Sequence, residues 1–244
     1  MNSQNTIEKM KQMRLNAMAE MHYINIDNNI NQQYTIDQYV TILIDQEWEN
    51  KQNNKIKNLI KKADFRYSAS VQGVDYIANR GLDRNAFERL ALLDFMKNKE
   101  NIIITGATGT GKSYLAQAIG HQSCMMLNKT MYFNTSRLMD YLKLTRLEGT
   151  YTKNLLKIEK AELLILDDFG LAVFDNQSRQ SLMDIFESKY DRSSIIVASQ
   201  IPVSGWHQII GEGTIADAIL DRIIHSSHRI QLKGESLRKN KLKQ

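Results

Sequence analysis

Residues 106–113 read Gly-Ala-Thr-Gly-Thr-Gly-Lys-Ser, and this run limits the folds open to the chain more than any other feature. It fills the pattern G-x-x-x-x-G-K-[ST] completely. Such a loop needs a strand to deliver it and a helix to receive it. Its glycines let the backbone curl until successive N–H groups point at phosphate oxygens. The helix that starts there adds unpaired N–H groups and a positive dipole end. The flanks supply both elements, since residues 101–105 read as a short apolar strand and 112–127 as a helix. Lys112 offers a mobile positive charge for the β- and γ-phosphates, and Ser113 a hydroxyl for Mg²⁺. The expected nucleotide-binding set is Gly106, Ala107, Thr108, Gly109, Thr110, Gly111, Lys112, Ser113 and Tyr114, with ATP and Mg²⁺ as ligands.

The rest of the chain fits an α/β core. Strands are expected at 130–133, 163–166, 194–198 and 228–232, and helices from Ser136, as cap, to about 147, at 177–190 and at 215–224. Alternating strands and helices imply a mainly parallel, five-stranded sheet covered on both faces. Asp83 is placed to cap a helix running through Met96, with Phe87, Leu90, Ala91 and Phe95 on one face. Residues 1–68 differ: they are poor in Gly and rich in Asn, Gln, Lys and Met. Met10, Met13, Ala17 and Met21 recur at helical spacing, as do Val40, Leu43 and Ile44 after a start signal at Thr35 to Asp37. The expectation is a small all-helical N-terminal domain over 1–68 and an ATPase domain over 69–244, with 69–100 as its connecting segment.

Composition narrows the function classes. The apolar runs are too short for a membrane span, and the N-terminus lacks the apolar stretch of a signal peptide, so a cytoplasmic protein without membrane contact is expected. A single cysteine, Cys124, excludes an internal disulfide. His225 and His228 have no third ligand nearby in sequence, which argues against a metal site there. The net charge of +5 permits nucleic-acid binding without requiring it. Lys51, Lys55, Lys57, Lys61, Lys62 and Arg66 face one acid, Asp64, in a run that reads equally as a solvated face or a polyanion contact. Arg137, Lys143, Arg146, Lys153 and Lys157 dot the stretch between the second and third strands; the first four are the candidate DNA contacts, with a solvated surface as the alternative.

Three further positions carry candidate chemistry. The third strand ends in Asp167-Asp168, and ligands in open α/β sheets gather at the carboxyl ends of strands. Asp167 suits the Mg²⁺ shell, directly or through water; Asp168 either orients or deprotonates the attacking water, or caps the following turn. The fourth strand ends in Ser199-Gln200, a place from which a polar side chain reaches the γ-phosphate, or else an ordinary turn before Pro202. Arg222, after Asp221, has the planar fork that spreads charge over phosphate oxygens, on its own ATP or across a subunit interface, unless it forms an intrachain surface pair. The expected catalytic set is Lys112, Asp167, Asp168, Gln200 and Arg222.

Several runs together resemble an IstB-type transposition helper ATPase. They are residues 106–113, Leu-Leu-Ile-Leu-Asp-Asp-Phe-Gly at 163–170, Ala-Ser-Gln-Ile-Pro at 198–202 and Trp206. Asp-Ala-Ile-Leu-Asp-Arg at 217–222 and Gly-Glu-Ser-Leu-Arg-Lys at 234–239 are the more specific, and upstream matches at 13–19 and 47–65 extend the likeness over most of the chain. That family lies in the AAA+ class, close to helicase loaders of the DnaC type. The resemblance implies Walker A at 106–113, Walker B at Asp167, sensor one at Ser199 or Gln200, an arginine finger at Arg222 and a sensor-two-like role for Arg238. Asp168 departs from the glutamate of many AAA+ proteins and is one methylene shorter, which implies slow or partner-dependent hydrolysis. Family members assemble with ATP on duplex DNA and recruit or stimulate a transposase. A replicative helicase loader and a nucleotide-dependent scaffold with little turnover are the rival readings.

Overall fold

The computed structural model describes residues 3–28, 30–77, 80–211 and 213–237. The chain divides into two compact units, Met1–Asn58 and Leu59–Gln244. The first is helical: α1 (Ser3–Gln12), α2 (Asn16–Asp27) and most of α3 (Ile36–Ala63). The methionine stripe expected to run on one helix is cut by Arg14, whose φ of 60° ends α1, and Met13 is 68% exposed instead of packed. Glu47 closes the gap in chain logic: its carboxylate accepts from Ala17 N at 2.9 Å and Met18 N at 3.1 Å, serving the unpaired N–H groups of α2 from 30 residues away. The start of α3 is a reciprocal cap, with Gln38 N donating to Thr35 Oγ1 and Thr35 N to Gln38 Oε1. Of its expected apolar stripe, Leu43 is buried while Val40 and Ile44 are exposed.

The second unit holds the α/β core. Asp83 caps α4 (Arg84–Ala91) by accepting from Ala86 N at 3.1 Å. The helix does not reach Met96 unbroken, because Leu93 takes a left-handed φ of 66° before the single turn α5 (Asp94–Lys97). There follow β1 (Asn101–Gly106), α6 (Lys112–Met125), β2 (Thr130–Asn134), α7 (Thr135–Leu147), α8 (Tyr151–Glu159) and β3 (Leu163–Phe169). The chain continues through α9 (Asn176–Lys189), β4 (Ser194–Ser199), α10 (Trp206–Ile210), α11 (Gly213–Ile224) and β5 (Ser227–Leu232). Asn134, in place of the expected Ser136, caps α7 by accepting from Arg137 N, and Asp175 caps α9 by accepting from Ser178 N. Helix α8 was not foreseen.

The five strands form one sheet in the order β2-β3-β4-β1-β5, with every pairing parallel. Alternation along β1 sends Ile102 and Ile104 to one core and Ile103 to the other. Phe87, Leu115 and Ile119 complete the first core; Leu138, Phe186, Trp206 and Ile219 complete the second. Trp206 is fully buried, and its indole N–H donates to the Ile201 carbonyl at 2.9 Å, a packing role. Gly120 brings α6 close to the sheet, since a Cβ there would lie 2.5 Å from Ile165 Cδ1 and 2.8 Å from Phe65 Cε1.

Candidate nucleotide site

Strand register builds the site. Asn134 pairs with Asp167, Phe169 and Thr105 both pair with Ser199, and Gly106 with Leu232, so these residues form one row across the carboxyl edge of the sheet. Gly106 leaves β1, and the loop turns through left-handed φ at Gly109 (82°) and Gly111 (97°) before α6 begins at Lys112. The loop has no room for side chains at these glycines. A Cβ on Gly109 would collide with Ser236, and one on Gly111 with the Arg80 guanidinium. The Lys112 ammonium, 6% exposed, donates to the Ala107 carbonyl at 2.8 Å.

Ser113 and Asp167 meet: the Ser113 hydroxyl donates to Asp167 Oδ1 at 2.9 Å. Tyr132, from β2, donates its hydroxyl to Asp167 Oδ2 at 2.8 Å, and the Asp168 N–H donates to Oδ1 at 2.9 Å. Asp167 is fully buried, and that burial pushes its carboxyl above the ordinary carboxylate range despite these donors. Burial first, then the Asp167 charge, pushes the Tyr132 phenol up as well. An all-oxygen pair of hydroxyl and carboxylate matches a hard divalent cation such as Mg²⁺.

A register shift between Leu166 and Phe169 re-aims Asp168, whose φ is 55°. Its Oδ2 accepts from Asn134 Nδ2 at 3.0 Å. Gln200 touches the loop directly, with Thr108 Oγ1 donating to Gln200 Oε1 at 2.6 Å. Ser199 does not face the loop; its buried hydroxyl donates to the Phe169 carbonyl at 2.7 Å and accepts from Ile201 N, stitching β4 to β3. Tyr114 turns its hydroxyl to Ser70, in the connecting segment. Arg238 lies outside the described residues.

Arg222 lies at the other end of the sheet. Asn101, the first residue of β1, donates its side-chain amide to the Arg222 carbonyl at 3.2 Å. The Arg222 guanidinium pairs with Glu187, donates to the Ala218 carbonyl at 2.8 Å and lies 5.9 Å from the Tyr190 ring centre. A strand of this length separates its two ends by about 17 Å, so this arginine does not address the loop of its own chain.

The candidate DNA contacts separate into two kinds. Arg137 and Lys153 are exposed. Lys143 pairs with Asp175 at 2.9 Å, and that contact holds the Asp175 carboxyl well below its usual range. Arg146 is spent internally, on Asp184 at 3.3 Å, on the Ser181 hydroxyl and over the Tyr151 ring at 3.5 Å. Among the described residues no group of three His, Cys, Asp or Glu side chains forms a metal site, and His228 instead meets Glu100 at 2.8 Å. No helix among them is long and apolar enough to cross a membrane.

Three residues next to the loop escaped the sequence reading. Tyr132 and Asn134 bear on the two aspartates; alternation and the end of β2 were the available signals. Arg80, 3% exposed, donates to the Thr110 carbonyl at 3.1 Å and to the Asp75 carbonyl at 2.7 Å. Nothing in its irregular surroundings marks it in sequence.

Comparison with known proteins agrees with this geometry. An insertion-sequence ATP-binding protein, y4pL of Sinorhizobium fredii, is 40% identical over 235 residues, covering 96% of each chain. Among solved structures, the DnaC helicase loader matches with a TM-score of 0.54 at 21% identity, over 68% of this chain and 98% of its own. AMPPCP-bound DnaA from Aquifex aeolicus matches with a TM-score of 0.58 at 19% identity, over 74% of this chain and 56% of its own. These likenesses show an AAA+ P-loop fold. The family model described as IstB-like ATP binding protein matches residues 8–244, and the chain belongs to that family.

Proposed function

We propose that this chain is an ATP-dependent helper of a transposase, which binds Mg-ATP at residues 106–113, assembles with itself on duplex DNA, hydrolyses ATP and recruits or stimulates its transposase. The observation that carries the reading is the convergence of Lys112, Ser113, Asp167, Asp168 and Gln200 on one sheet edge, with Arg222 at the opposite edge. In this reading the backbone N–H groups of the loop and the Lys112 ammonium hold the phosphates. Ser113 and Asp167 hold Mg²⁺, directly or through water, and the ion supplies neutralising charge at the β- and γ-oxygens. Asp168 polarises the attacking water, and Gln200 reads the γ-phosphate. Arg222 acts across an interface, on the nucleotide of a neighbouring copy. ATP then completes the interface, and hydrolysis loosens it.

Duplex contact is assigned to Arg137 and Lys153, with Lys143 able to join by leaving Asp175. Arg146 is the weakest of the four, because its guanidinium is already engaged by Asp184, Ser181 and the Tyr151 ring. The helical segment 1–68 grips the transposase or flanking DNA, and the site of action is the cytoplasm. The name of the Sinorhizobium relative places that protein in an insertion sequence, which supports the transposition reading over a helicase loader. The test is assembly on duplex DNA with and without Mg-ATP, followed by co-precipitation with a DDE-type transposase and with a replicative helicase. ATP-independent assembly, or capture of the helicase alone, would overturn the proposal.

One observation favours a second reading, a nucleotide-gated scaffold. Asp168 is held by Asn134 in a left-handed turn, away from free rotation. Steady-state phosphate release with DNA and partner present separates the two: release that stays at background in the full assembly selects the scaffold.

A further inference from the structure

Arg80 lies outside every motif, yet it is among the most deeply buried charged side chains of the second unit. Its guanidinium bridges two carbonyls, of Thr110 at 3.1 Å and of Asp75 at 2.7 Å. Its own carbonyl accepts from Lys233 N at 2.8 Å, tying it to the end of β5. Removing a charge from water is costly, so an arginine in this place has to be explained by what it holds.

What it holds is one peptide of the phosphate loop. In a planar trans peptide the C=O and the following N–H point in opposite directions. With the Thr110 carbonyl drawn outward to Arg80, the Gly111 N–H is turned to the opposite side of that peptide. The preceding peptide is treated the same way, since the Gly109 carbonyl accepts from Leu237 N at 2.9 Å. Two successive carbonyls of the loop are therefore held from outside, on the side where Gly109 and Gly111 have no space for a Cβ. The Thr110 N–H of the first of these peptides turns to the Ala107 carbonyl at 3.4 Å, whereas the Gly111 N–H of the second is left to meet an anion without rearranging.

We propose that Arg80 is a positioning residue of the nucleotide site: it fixes the Thr110–Gly111 peptide so that the Gly111 N–H faces the bound phosphates. The inference rests on the reading of residues 106–113 as a nucleotide site. It specifies that Arg80 acts on diphosphate and triphosphate alike, because its effect passes through the loop and not through the γ-phosphate.

The test uses the full chain and titrates Mg-ADP and Mg-ATP into wild type, Arg80→Ala and Arg80→Met. Methionine fills much of the same space without donors. Loss of one well-oriented N–H to a charged oxygen corresponds to about a tenfold or larger loss of affinity. The expected result is that loss for both nucleotides by the same factor, with the thermal midpoint of Arg80→Met near that of wild type. Guanidinium at tens of millimolar should restore affinity in Arg80→Ala, and sodium chloride at equal ionic strength should not. Binding of Arg80→Met within twofold of wild type overturns the proposal, as does a loss confined to ATP. Failure of both variants to fold also overturns it, because a residue that only orients a loop leaves the sheet intact. A wild-type chain that binds neither nucleotide refutes the site itself, a separate outcome.

Discussion

Arg222 cannot serve its own loop if the sheet stays folded. Its backbone is anchored at the first residue of β1, and the loop leaves from the last, which sets them about 17 Å apart. A complementation experiment converts this separation into a number. Arg222→Ala keeps an intact loop and lacks the proposed finger; Lys112→Ala keeps that arginine and lacks the loop's ammonium. Each alone should lose ATP turnover by roughly 10³-fold or more. In a head-to-tail assembly mixed at equal ratio, an active interface needs the loop of one variant and the finger of the other. Random mixing gives that arrangement at about one interface in four. Steady-state phosphate release on duplex DNA should therefore recover to about a quarter of wild type, whereas a finger acting in its own chain predicts no recovery. Co-purification of differently tagged variants establishes that mixed assemblies form. Parental activity in such assemblies, with wild type active under the same conditions, would refute the reasoning.

Three further outcomes are expected. Asn134→Ser keeps an acceptor to cap α7 but loses the reach to Asp168; basal phosphate release should rise about tenfold, the equivalent of one hydrogen bond to a charged group. Lys189 is buried, with its ammonium on the Glu159 and Ala161 carbonyls, and that burial pulls its pKa down to about 8. A depressed base disfavours the protonated folded state, so wild type should gain on Lys189→Met as pH rises from about 8 to 10.4, by about 2–3 kcal/mol in denaturant titrations. Arg137→Ala and Lys153→Ala should each weaken duplex binding regardless of sequence and each lower the salt slope by about one unit, measured by fluorescence anisotropy.

What the sequence disclosed follows from how local each signal is. The loop glycines, Lys112 and Ser113 are contiguous, and the buried strands are unbroken apolar runs, so both were legible. The break at Leu93 was not, because it lies among apolar residues that continue a helical pattern and depends on a left-handed turn that leucine seldom takes. Helix α8 was hidden by its mixed run of Thr, Lys, Asn and Leu after Gly149, and its amphipathicity becomes plain only with Asn154 and Ile158 seen buried. Arg80 and Tyr132 were missed for a different reason: each meets its partner across 30 or more residues, at 3.1 Å to Thr110 and 2.8 Å to Asp167. Ser199 shows the opposite error. It stands at the right strand end, yet its hydroxyl is claimed by a neighbouring backbone.

The missing side chain at Gly120 has a mechanical consequence. With no atom there to act as a spacer, the helix that carries Lys112 and Ser113 rests on the strand that carries Asp167 as one solid block. Widening position 120 to alanine should therefore lever the helix away from the strand, parting Ser113 from Asp167 and loosening the proposed cation seat together with every contact that depends on bound nucleotide.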